Sequence, residues 1–150
     1  MLTLQEIFNK STSMLLAQGQ PSVPLDSKIK QGPNCLYRSV NSEGKPLGCA
    51  VGVLIADEDY RPEFDKTFSG TVASLIRQNE QFAQAMTNAG IDISDRDVGL
   101  LLADLQTCHD STATGFESAD EFSSFNDRLH KALSSVLPKY YAKFQSLNRV

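Results

Sequence analysis

The run Cys35-Leu36-Tyr37-Arg38-Ser39-Val40, then Asn41-Ser42-Glu43-Gly44-Lys45-Pro46, then Leu47-Gly48-Cys49-Ala50-Val51-Gly52-Val53-Leu54-Ile55, sets the fold class of this chain. Its first third can alternate faces as a short strand, and its second is made of turn formers, so a hairpin is expected. The return segment starts near Leu47. From Cys49 onward the residues suit either a buried strand or a buried helical turn, since periodicity does not separate the two over so short a run. We read a strand that turns into a helix near Cys49.

Outside this stretch the pattern is helical or irregular. Thr3-Leu4-Gln5-Glu6 is a capping box, and Leu4, Ile7, Phe8, Met14 and Leu15 recur on one face up to Gly19, a left-handed stop. Pro21, Pro24, Gly32 and Pro33 make the following segment a loop. Val72, Leu75 and Ile76 suggest a second helix, and Phe82, Ala85, Met86 and Ala89 a third, closed by Gly90. Ser94-Asp95-Arg96-Asp97 can cap a fourth, whose apolar face runs through Val98, Leu101, Leu102 and Leu105 to Cys108 or His109. A second capping box, Ser118-Ala119-Asp120-Glu121, opens a long helix through Phe122, Phe125, Leu129, Leu133 and Val136, expected to stop at Pro138. The expected fold is α+β, mainly α: one globular domain over residues 1-150, helical, with a small β-hairpin near residues 35-50.

Bulk properties exclude several function classes. A chain of 150 residues buries a core without metal or disulfide staples. Its 41% apolar and 21% charged residues argue against disorder. A net charge of -4 and a pI near 5.1 argue against nucleic acid as the main partner, because phosphate neutralisation needs a basic face. The longest apolar run, Leu47 to Ala56, falls short of the roughly 20 residues of a membrane span. The N-terminus lacks the basic start and apolar stretch of an export signal. Three cysteines, Cys35, Cys49 and Cys108, without a C-x-x-C pair suit a reducing compartment, so a cytoplasmic setting is expected.

Two clusters carry candidate chemistry. Cys49 at a helix start would be favoured as a thiolate, and His109 with Asp110 could serve as its base and orienting carboxylate. The plainer reading makes the cysteines small buried hydrophobes and His109-Asp110 a helix-end tie. Cys35, Cys49, Cys108 and His109 have zinc-ligand chemistry but not the spacing of a zinc module, so no metal and no cofactor is expected. Asp57-Glu58-Asp59, Glu63 and Asp65 crowd around Tyr60 and Arg61 without calcium-loop spacing and read as a solvated helix start. Arg38 can pair with Asp57 or Glu58, or hold an anionic ligand in a fork of donors.

The blocks Cys35-Leu36-Tyr37-Arg38, Cys49-Ala50-Val51-Gly52-Val53-Leu54-Ile55-Ala56-Asp57-Glu58-Asp59-Tyr60 and Leu105-Gln106-Thr107-Cys108-His109-Asp110 resemble a family of small, largely uncharacterised proteins of tailed phages and of bacteria carrying phage genes. The family pattern is roughly C-x-Y-R, C-A-V-G-x-L-I-x-D-x-x-Y and L-Q-x-x-H-D. Departures are the Ser- and Thr-rich loop after Asp110, and Val53 where relatives often carry a further cysteine. The resemblance implies an accessory phage or prophage protein in the host cytoplasm, with the motif blocks close in space, and implies no particular activity.

Tyr37, Arg38, Tyr60 and His109 offer stacking faces and donors for phosphate or carboxylate groups, and Asp57 joins them as a candidate ligand-binding residue. The expectation is a non-enzymatic binding protein that sequesters a small anionic, nucleotide-like signal or captures a host protein. One alternative is a cysteine-dependent hydrolase or transferase using Cys49, His109 and Asp110. Another is an assembly component that forms homo-oligomers through the segment Phe125 to Phe144, with Tyr140 and Tyr141.

Overall fold

Thr3 and Glu6 satisfy each other's backbone donors: Glu6 N–H donates to Thr3 Oγ1 at 3.1 Å and Thr3 N–H to Glu6 Oε1 at 3.2 Å. The first helix, α1, therefore runs Leu4–Gln18, and Gly19 ends it at φ 75, a conformation that suits a residue without Cβ. The computed structural model describes residues 1–23, 36–66, 71–112 and 124–146. Cys35, most of the loop before it and the second capping box with Phe122 lie outside the described residues.

The hairpin forms from β1, Arg38–Val40, and β2, Pro46–Gly48, antiparallel with Arg38 opposite Gly48 and Ser39 opposite Leu47. Asn41 closes its turn by accepting the N–H groups of Glu43 and Lys45 at 2.9 Å each, with Gly44 at φ 78. The chain leaves the sheet at Cys49, as expected, but the helix read there is a single 3₁₀ turn, Gly52–Leu54. Gly52 is required at that point, since a Cβ would lie 1.8 Å from the Tyr37 carbonyl oxygen. Two further 3₁₀ turns follow, Asp57–Asp59 and Pro62–Lys66.

Four more helices complete the described chain: α2 Val72–Gln78, α3 Glu80–Asn88, α4 Arg96–Thr112 and α5 Phe125–Ser146. Asn79 separates α2 from α3 by accepting the N–H groups of Gln81 and Phe82 at 3.0 Å each. Asp95 caps α4 through Asp97 N–H at 2.8 Å and Val98 N–H at 3.3 Å. Helix α5 does not stop at Pro138 but passes through it. Leu133 and Val136 before the proline and Tyr140 and Phe144 after it are all buried, while Pro138 itself is exposed. Tyr140 Oη donates to Asp104 at 2.7 Å and Lys143 Nζ to Asp97 at 2.5 Å, so docking on α4 holds the turn that proline weakens.

Helix α4 packs against α1, α2 and α5, and α1 also against the Gly52–Leu54 turn. Ile7, Leu15, Leu101, Leu102, Phe125 and Leu129 meet in the centre, each fully removed from solvent at a gain of about 1.5–3 kcal/mol. A mainly-α α+β fold results, with the hairpin pinned to one side. Gln18 does the pinning: its amide accepts from Gly48 N–H at 2.8 Å and donates to Gly48 O at 2.9 Å, as a neighbouring strand would. Among the described residues no helix is long and apolar enough to cross a membrane.

Candidate functional site

Arg38 leaves β1 pointing under the segment that follows β2. Its Nε donates to Gly52 O at 2.9 Å, Nη2 donates to Ile55 O, and Nη1 donates to Asp57 Oδ1 at 2.5 Å. The Tyr60 ring lies 5.8 Å from Cζ. A guanidinium has five N–H donors, so among the described residues these contacts leave one on each terminal nitrogen without an acceptor. Beside this pair is a half-open hollow of about 200 Å³, walled by Met14 and Gln18 of α1, Leu47, Val53, Arg38 and Asp57.

The two tyrosines serve the same corner from inside. Asp65 accepts Tyr37 N–H at 2.6 Å and Arg38 N–H at 3.4 Å, and it also accepts the Tyr60 hydroxyl. One carboxylate thus ties the start of the hairpin to the Pro62–Lys66 turn. Burial first, then the Asp65 hydrogen bond, push the Tyr60 phenol up. The Tyr37 phenol is raised by burial, with Cys49 and Asp65 adding to it. Tyr37 packs on Phe82 at 5.3 Å, Phe82 on Phe64 at 5.2 Å, and Phe64 on Tyr60 at 5.8 Å, so both rings belong to one aromatic chain.

The second motif block meets the first in the interior. His109 is fully buried; its Nε2 accepts Ser22 N–H at 3.0 Å and its Nδ1 lies 2.9 Å from Asp110 Oδ1. Gln106 donates to the same carboxylate oxygen at 2.9 Å and accepts Val51 N–H at 3.3 Å. Ser22 completes the link, accepting Leu36 N–H at 3.0 Å and sharing a hydroxyl bond of 2.7 Å with Ser39. The hairpin block and the Gln106-to-Asp110 block are therefore neighbours, joined by hydrogen bonds.

Cys49 lies at this junction with no exposed surface, its sulfur accepting Gly52 N–H at 3.3 Å. Burial pushes the thiol up to about 12, outweighing the Gly52 and Val51 amides and Gln106, which pull it down. That environment opposes a thiolate, and both His109 nitrogens are engaged elsewhere, which favours the plainer reading of the pair. Cys108 is also buried and its thiol raised by burial. Among the described residues no three metal-ligating side chains converge.

Of the residues singled out from sequence, Arg38 and Asp57 line the hollow; Tyr37, Tyr60 and His109 do not. The acidic run Asp57–Asp59 is a 3₁₀ turn, with Asp57 as the partner of Arg38. Tyr140 is consumed by the core and Tyr141 is exposed. Sequence reasoning missed Ser22, Gln18 and Asp65 as connectors. Gln18, one residue before a helix-ending glycine, carried the one readable hint, a polar amide where the chain must turn. No protein-family model, no curated protein and no solved structure matches this chain.

Proposed function

We propose that this chain is a non-enzymatic accessory binding protein of the phage type, which takes the anionic group of a small nucleotide-like ligand, or of a host protein, into the hollow beside Arg38. The supporting observation is the guanidinium itself: two backbone carbonyls hold it in place beside an apolar wall, and two of its N–H donors have no acceptor among the described residues. A volume of about 200 Å³ is below the roughly 300–1,000 Å³ of a pocket that encloses a whole ligand, so the hollow engages one end group and leaves the rest outside. The raised, sealed Cys49 thiol supports binding over covalent catalysis. On this reading the protein works in the host cytoplasm.

Calorimetry against nucleoside mono-, di- and triphosphates, run beside a host-lysate pull-down, tests the proposal. Met14→Glu, which puts a negative charge on the exposed wall of the hollow, is the control. Binding in either assay that Met14→Glu removes supports the reading; no binding in both assays overturns it.

A further inference from the structure

Resting on that reading, we infer that Asp57 is a built-in competitor for the Arg38 site, and that the group able to displace it is a phosphate monoester rather than a carboxylate. The two partners of the ion pair are held very differently. The Arg38 side chain is 19% exposed and anchored to Gly52 O and Ile55 O, whereas the Asp57 side chain is 89% exposed. Among the described residues the Asp57 carboxylate has no hydrogen-bond partner other than Arg38. The carboxylate can therefore swing into water while the guanidinium stays in position.

An incoming carboxylate offers Arg38 nothing that Asp57 lacks, and it arrives untethered. Asp57 acts on its neighbour at the high effective concentration of a short tether, so a free carboxylate loses to it at ordinary concentrations. A phosphate monoester differs in kind: it carries up to two negative charges and three acceptor oxygens, enough to engage the Nη1 position that Asp57 vacates and the two remaining N–H groups. Met14, Leu47 and Val53 supply a wall against which the organic part of the ester can rest.

The test is a titration of the full chain with inorganic phosphate and, separately, acetate, followed by calorimetry and by the NMR resonance of the Arg38 Nε–H. Wild type, Asp57→Asn and Met14→Glu are compared, with melting temperatures confirming the fold. Phosphate should shift the Arg38 resonance in the wild type and acetate should not. Asp57→Asn should bind phosphate about fivefold more tightly, the size of an exposed ion pair removed, and should begin to bind acetate. Met14→Glu should lose phosphate binding. Equal phosphate affinity in wild type and Asp57→Asn would end the competitor role while leaving the anion site standing. Absence of phosphate binding in both would end the site and the inference together. Adenosine monophosphate and a phosphoserine peptide, used as parallel probes, separate a nucleotide source from a protein one by which of them binds more tightly than phosphate alone.

Discussion

The backbone N–H of Ser22 donates to Nε2 of His109 over 3.0 Å, joining residues 87 positions apart. A nitrogen that accepts an N–H carries no proton, so the ring proton resides on Nδ1 and is directed at Asp110 Oδ1, 2.9 Å away. His109 is thereby a neutral connector between α4 and the segment that leads to the hairpin.

His109→Ala should destabilise the fold by about 3 kcal/mol or more, from an orphaned buried amide worth about 1–3 kcal/mol plus the emptied volume. His109→Phe refills the volume and should still cost about 1–3 kcal/mol. Urea unfolding measures both; a loss within about 0.5 kcal/mol for either, the range of a neutral surface change, would contradict the connector role.

Alkaline pH should weaken the protein through Cys49. The thiol ordinarily titrates at 9.0 and in the fold at about 12. Between these values the unfolded chain has lost a proton that the folded chain keeps, so stability is full below about pH 9 and falls as pH rises toward 12, by about 1.4 kcal/mol per pH unit for one such group. Tyr37, raised by burial from 10.0, should steepen the fall beyond pH 10. Urea midpoints taken every half unit should fall at least this steeply, and Cys49→Ala should make the fall shallower between pH 9 and 10, the remainder coming from Cys108, whose thiol burial also raises. The same burial predicts that iodoacetamide at pH 8 leaves Cys49 unmodified in the native protein and alkylates it in urea, read by peptide mass spectrometry.

Gly52→Ala and Gly99→Ala should move stability in opposite directions. A Cβ at Gly52 would meet the Tyr37 backbone at 1.8 Å, so the hairpin and the turn must separate, at a cost of about 3 kcal/mol or loss of the fold. Gly99, inside α4, has open space, and alanine there should add about 0.5–1 kcal/mol. Thermal melting ranks the two against wild type, and a harmless Gly52→Ala would refute the close approach.

Pro138→Ala should stabilise α5. The alanine N–H can donate to Ser134 O within a helix that already passes through this point, and position 138 is exposed, so a gain of about 1 kcal/mol or more is expected from denaturant unfolding.

Local chemistry made several elements readable. The Thr3 and Glu6 box, the Gly19 stop, the Asn41-to-Lys45 turn and the Asp95 cap each act over four residues or fewer, and each appears where its residue types demand. Pro138 misled because propensity is a local cost of a few kcal/mol, and the burial of Tyr140 and Phe144 beyond it outweighs that cost. The helix expected at Cys49 shrank to one 3₁₀ turn because Gly52 must approach the Tyr37 carbonyl, a constraint arising from the partner strand and not from the run itself.

The candidate site divides along the same line. Residue types alone marked Arg38, Asp57, Cys49 and the His109-Asp110 pair as chemically notable, since guanidinium, carboxylate, thiol and imidazole carry their reactivity wherever they stand. Which of them face solvent and which are consumed by the core depends on burial and on partners far along the chain. Ser22 blocks His109, the core seals Cys49, and the carbonyls of Gly52 and Ile55 set Arg38 at the edge of a hollow. Those relations exist only once distant segments pack, because desolvation and hydrogen-bond geometry are properties of position in space and not of residue identity.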